Sequence, residues 1–132
     1  MVKDAMCVLY IEDDRSSMLL MRHIFKKKLP RLTLLEAWNV EEGLALARLH
    51  RPKLILMDIQ LPDMDGYEGV AGLRSDPNTT SIPVWAVSAS ALDDDVKQGL
   101  EAGFQKYLKK PLGMGSFVRL VEEALEPETA EK

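Results

Sequence analysis

KLILMDIQLPDMDG, residues 53–66, sets a short apolar run against an acid. Leu54, Ile55, Leu56 and Met57 have the continuous apolar character of a strand buried on both faces, and the run ends at the carboxylate of Asp58. Leu61-Pro62 then breaks the strand, and Asp63, Asp65 and Gly66 carry turn chemistry leading into a helical segment. In open α/β sheets ligands bind outside the carboxyl ends of the strands, so an acid at such an end is a functional candidate. An acid that only caps a loop is the plain alternative, and this stretch alone leaves both open.

Working outward, Cys7-Val8-Leu9-Tyr10-Ile11 is a strand closed by Glu12-Asp13-Asp14. Residues from about 15 to 28 place Met18, Leu19, Met21, Ile24 and Phe25 at helical spacing, with Lys26-Lys27-Lys28 where the helix dipole favours cations. Leu32 to Ala37 is a second strand, and Val40 to His50 a second helix, stopped before Pro52. Downstream of the opening stretch, Tyr67, Val70, Ala71 and Leu73 define a third helix. Val84 to Ser88 is a fourth strand, followed by the small-residue loop Ser88-Ala89-Ser90-Ala91. Asp93 to Gly103 is a fourth helix whose acidic first turn suits its dipole and needs no metal. Tyr107-Leu108 is a fifth strand ending near Lys109-Lys110-Pro111, and Phe117, Val118, Leu120, Val121 and Leu125 build a fifth helix.

Five strands alternating with five helices predict a flavodoxin-like (βα)5 sandwich, a parallel sheet of order 2-1-3-4-5 covered on both faces. A single domain over residues 1–132 is expected, with its core at about 6–126 and a polar tail at 127–132. The chain is 46% hydrophobic and 29% charged, with no apolar stretch long enough to span a membrane and no secretory signal pattern at its start. A net charge of -4 argues against a nucleic-acid surface. The lone Cys7 permits no internal disulfide and reads as a buried, inert thiol in a reducing, cytoplasmic setting.

The predicted strand order has a functional consequence. Its switch point lies between strands 1 and 3, which brings Glu12, Asp13 and Asp14 beside Asp58, with Ser88 and Lys110 on the same rim. Carboxylates gathered this closely repel one another unless a cation sits among them. Magnesium fits an oxygen-only set with one or two carboxylates, whereas zinc does not, since His23 and His50 fall on helices away from the rim. Beside a divalent cation and a lysine, Asp58 can act as a nucleophile toward a phosphoryl group, with Lys110 offsetting charge and Ser88 donating a hydrogen bond to a phosphate oxygen.

Taken together, Glu12-Asp13 after strand 1, Asp58 within MDIQLPDMDG, Ser88-Ala89 after strand 4 and Lys110-Pro111 after strand 5 resemble the receiver domains of two-component response regulators. The resemblance spans roughly residues 6 to 126. It implies that Asp58 is phosphorylated by a histidine kinase or a histidine phosphotransfer protein. It also implies magnesium held by Asp13 and Asp58 directly, by the Gln60 backbone carbonyl, and by Glu12 through water. Counting from the strand end makes Glu12-Asp13 the acidic pair and leaves Asp14 as a loop residue or helix cap, and the proline selects Lys110 over Lys109. Tyr107 resembles the family's switch aromatic, which together with Ser88 would bias the surface of helix 4, strand 5 and helix 5 toward a downstream protein target. Gln60 and Ser90 occupy positions that tune phosphate lifetime in that family. Trp38 and Trp85 read as packing residues.

No output domain is expected after helix 5, which fits either a stand-alone regulator or a receiver cut from a hybrid kinase. An enzyme is not expected. The alternative is a magnesium-dependent phosphatase of the aspartyl-phosphate type, which would want a second Asp where Gln60 stands and a cap domain. A flavodoxin-like FMN module would want a hydroxyl-rich phosphate loop where this chain has three acids.

Overall fold

The computed structural model describes residues 6–59, 66–89 and 92–125, the side chain of Asp93 excepted. Gln60, Ser90, Asp63 and Asp65 lie outside the described residues. The elements alternate strictly: β1 Met6–Ile11, α1 Arg15–Lys28, β2 Leu32–Ala37, α2 Val40–His50, β3 Leu54–Asp58, α3 Gly66–Ser75, β4 Val84–Ser88, α4 Asp93–Ala102, β5 Lys106–Lys109 and α5 Met114–Leu125. The strands form one parallel sheet of order β2-β1-β3-β4-β5, the order expected from the βα repeat.

Strand alternation divides the core in two. On one face Val8, Tyr10, Leu54, Leu56, Trp85 and Val87 pack under α1 and α5 through Met18, Met21, Ile24, Phe117 and Val121. On the other, Leu9, Ile11, Ile55, Met57, Val84 and Ala86 pack with Ala47, Val70, Leu73 and Phe104. Central β3 is buried along its whole length, as its uninterrupted apolar run requires. Gly43 lets α2 approach β1, because a Cβ there would collide with the Ile11 side chain.

The helices end where their chemistry dictates. Asn39 caps α2 by accepting from the Glu42 N–H at 2.8 Å, and the Glu42 carboxylate reaches back to the Trp38 N–H at 2.8 Å, a reciprocal arrangement that satisfies two backbone donors. Helix α4 stops at Ala102, one residue short of the expected end, because Gly103 adopts φ +124°. Cys7 is half-buried rather than buried, since it lies at the outer end of β1, where cover by the helices is incomplete. Trp85 is fully buried, and its indole N–H donates to Gln105 Oε1 at 2.8 Å. His23 and His50 are exposed on α1 and α2.

Candidate functional site

Three strands deliver charge to one side of one sheet edge. Along β1, Tyr10 points to the α1/α5 face, so Glu12 two residues later shares that face. On β3, Leu56 and Asp58 share it by the same alternation, as do Leu108 of β5 and Lys110 just beyond it. The ladder is prolonged past both strand ends: the Glu12 N–H donates to Ala37 O at 2.9 Å and the Lys110 N–H to Ser88 O at 2.8 Å. These bonds fix the backbone from which the Glu12 and Lys110 side chains project. The Lys110–Pro111 peptide is cis.

At this edge Lys110 Nζ donates to Glu12 Oε1 at 2.7 Å and to Asp58 Oδ2 at 3.4 Å. Glu12 is fully buried, Asp58 nearly so, and the Lys110 side chain is 23% exposed. Glu12 also accepts from the Tyr10 hydroxyl on Oε1 at 2.8 Å and from the Asp14 N–H on Oε2 at 3.1 Å. Asp13 is exposed, and it, Glu12 and Asp58 bring one carboxylate oxygen each within 4.8 Å of one another. This all-oxygen donor set suits a hard divalent cation such as magnesium.

The electrostatics follow from burial opposed by partners. Burial alone would push the Glu12 carboxyl up, but hydrogen bonds with Asp58, Lys110 and Tyr10 outweigh it and hold Glu12 below the usual glutamate range. Burial likewise works against the Lys110 ammonium, yet the Glu12 hydrogen bond and the Asp58 charge raise its pKa above the ordinary lysine value. The Tyr10 phenol is driven far up by burial and then by the Glu12 carboxylate, so it stays a neutral donor.

Ser88 is buried at the end of β4, on the opposite parity from Trp85 and Val87 and thus toward the α3/α4 side. Tyr107 pairs in register with Ala86 and packs with the same second core. Its half-buried ring abuts α4, where a Cβ on Gly99 would sit 2.7 Å from Tyr107 Cδ2. Of the two doublets, Asp14 is the N-cap of α1, accepting from the Ser17 N–H and hydroxyl at 2.8 Å each, and Lys109 points to solvent. The structure therefore gathers Glu12, Asp13, Asp58 and Lys110, with Ser88 on the same rim. Gln60 lies outside the described residues.

Tyr10 was not singled out in the sequence, although its place two residues before Glu12 was the available signal. A cleft of about 340 Å³ opens beside it, lined by Tyr10, Leu20, Met21, Lys110 and Leu112 among others.

The family model described as response regulator receiver domain matches residues 8–122. DivK, a polar-differentiation response regulator of Brucella anthropi, is 36% identical over 118 residues, covering 89% of this chain and 94% of that protein. The receiver domain of sensor histidine kinase PA1611 from Pseudomonas aeruginosa superposes with a TM-score of 0.81 at 25% identity, covering 91% of this chain and 97% of that one. That structure holds a magnesium ion coordinated in its active site cleft. Chemotaxis protein CheY4 of Vibrio cholerae shares the fold, with a TM-score of 0.83 at 21% identity over 92% of this chain and 100% of that one.

Proposed function

The chain belongs to the response regulator receiver domain family, and on that premise we propose that it accepts a phosphoryl group on Asp58 from a histidine kinase or a histidine phosphotransfer protein. The observation that carries the reading is the Lys110 ammonium held between Glu12 and Asp58, with Asp13 alongside. A carboxylate oxygen of Asp58 attacks phosphorus, the bond from phosphorus to the donor imidazole nitrogen breaks, and its electron pair stays on that nitrogen, which takes a proton. Lys110 is placed to offset negative charge on the transferring group, and the Ser88 hydroxyl to donate to a phosphoryl oxygen. Glu12, Asp13 and Asp58 would hold magnesium, with the Gln60 backbone carbonyl as a further ligand. When bound, the ion supplies positive charge opposite the carboxylates and the phosphoryl oxygens.

This is a signalling role rather than turnover of a substrate. Phosphate on Asp58 draws Ser88 toward it and changes the packing of Tyr107 against α4, which alters the surface of α4, β5 and α5 offered to a downstream protein. Among the described residues no helix is long and apolar enough to cross a membrane, in keeping with a cytoplasmic partner exchange that involves neither membrane nor nucleic acid. The family match over 8–122 and the single sheet support one receiver domain.

The test is incubation with magnesium and acetyl phosphate. Wild type is expected to gain one acid-stable, base-labile acyl phosphate and Asp58→Asn none; labelling that persists in the variant refutes the assignment.

A further inference from the structure

We infer that Tyr10 is a positioning residue for phosphoryl transfer: its hydroxyl keeps the buried Glu12 carboxylate fixed and hydrogen-bonded when Lys110 leaves it for the phosphoryl group. The inference rests on the reading of Asp58 as phosphoacceptor and adds a residue to it. Glu12 Oε1 carries two donors, the Tyr10 hydroxyl at 2.8 Å and the Lys110 ammonium at 2.7 Å. Lys110 is closer to Glu12 than to Asp58, from which it stands 3.4 Å away. To serve a phosphoryl oxygen on Asp58, the ammonium must loosen its hold on Glu12. A buried carboxylate oxygen stripped of its donors bears the full desolvation penalty, and that penalty opposes the lysine's departure.

Tyr10 removes much of this opposition. Its ring is 1% exposed and belongs to the core under α1 and α5, so the hydroxyl cannot swing away with the lysine. The Asp14 N–H holds Oε2 from the other side. Each Glu12 oxygen thus has a donor that takes no part in transfer, and Lys110 is the donor that leaves. With phenylalanine at position 10 the ring packing survives, but Oε1 loses the donor that stays behind when Lys110 leaves. Lys110 is then held harder by Glu12, and transfer slows without a change in how the phosphodonor is recognised.

The experiment compares wild type, Tyr10→Phe, Glu12→Gln and the double variant. Labelling is followed with acetyl phosphate and magnesium, and the Lys110 ammonium resonance by NMR without metal. For Tyr10→Phe the maximal labelling rate is expected to fall about ten-fold, with the half-saturating donor concentration within about two-fold. Its Lys110 ammonium protons are expected to exchange more slowly with water. In the Glu12→Gln background, where the charge that retains Lys110 is gone, Tyr10→Phe is expected to change the rate by less than about two-fold. A Tyr10→Phe rate equal to wild type, an unmoved ammonium signal, or an undiminished effect in the Glu12→Gln background overturns the inference. Failure of wild type to take label refutes the Asp58 assignment instead, and the ammonium measurement still decides the role of Tyr10.

Discussion

Lys110 Nζ sits 2.7 Å from Glu12 Oε1 and 3.4 Å from Asp58 Oδ2, so the lysine is bound more closely to Glu12 than to the carboxylate proposed as phosphoacceptor. The pair joins the residue after the first strand to the residue after the fifth, 98 positions apart in sequence. It is therefore a structural tie as well as part of the proposed chemistry, and stability measurements without added metal report on it.

Lys110→Met is expected to destabilise the fold, because it leaves the fully buried Glu12 charge beside Asp58 with the Tyr10 hydroxyl and the Asp14 N–H as its donors. Breaking a buried ion pair from one side costs about 3–5 kcal/mol, and the partial exposure of Lys110 reduces this to about 1–3 kcal/mol. Glu12→Gln in the same chain is expected to recover part of the loss. A double-mutant cycle by urea unfolding, with constant m-values, checks both.

The pH dependence of stability follows from the same pair. Glu12 has a depressed pKa in the folded protein, so its contribution is present above the unfolded glutamate value of about 4.3 and is lost as pH falls through the lower folded value. Lys110 has a raised pKa, so its contribution is present below the unfolded lysine value of about 10.4 and is lost as pH rises through the higher folded one. Thermal unfolding of metal-free wild type and Glu12→Gln is expected to give curves that converge in acid, with wild type losing stability more steeply below about pH 4. Parallel curves would show that Glu12 does not titrate as described.

Arg74 is expected to matter more than its place on a helix surface suggests. Its guanidinium donates to Thr80 O at 2.8 Å, Ile82 O at 2.9 Å and Gly103 O at 3.2 Å, joining the loop before β4 to the turn after α4. Arg74→Ala is expected to cost about 2–3 kcal/mol, and Arg74→Lys to restore less than half of it, because an ammonium cannot span three carbonyls. Urea midpoints measure both, and wild-type stability in either variant would contradict the clamp.

Gly99 gives access to Tyr107 without touching the charged cluster. An alanine there places its methyl 2.7 Å from Tyr107 Cδ2, so the ring must move. The gain in helix propensity offsets part of the overpacking, for a net loss of about 1 kcal/mol. If the ring transmits the phosphorylation state, Gly99→Ala is expected to change affinity for the downstream partner several-fold while Asp58 labelling stays within about two-fold of wild type. Unchanged affinity with a displaced ring, seen in its aromatic NMR shifts, would remove Tyr107 from the switch.

Much of this was legible in the linear chain because each strand is a compact apolar run with a marked end. Leu54 to Met57 stops at Asp58, and Cys7 to Ile11 stops at the acids. Of the adjacent acids and lysines, the structure puts Asp14 at the N-cap of α1 and Lys109 in solvent, while Glu12 and Lys110 meet. What escaped was contact between distant positions. The bonds of Arg74 run to carbonyls of residues 80, 82 and 103, and a backbone acceptor leaves no trace in residue type. Tyr10 was legible as a strand residue on the face of Glu12, but its partnership with a lysine 100 residues later exists only once the sheet has closed. Cys7 was misjudged because a strand's outer end is less covered than its middle, a difference that composition does not record.

The parity of the strands has a consequence for how such a protein can diversify. Glu12, Asp58 and Lys110 project toward one layer of helices, while Ser88 and Tyr107 project toward the other, with a single sheet between them. The sheet is thus a partial partition: Tyr107 and α4 lie on the side away from Glu12 and Lys110, whereas α5 shares theirs, so substitutions around Tyr107 reach one part of the proposed output surface from behind the charged cluster. At the rim Ser88 O meets the Lys110 N–H, and there the two sides share a wall.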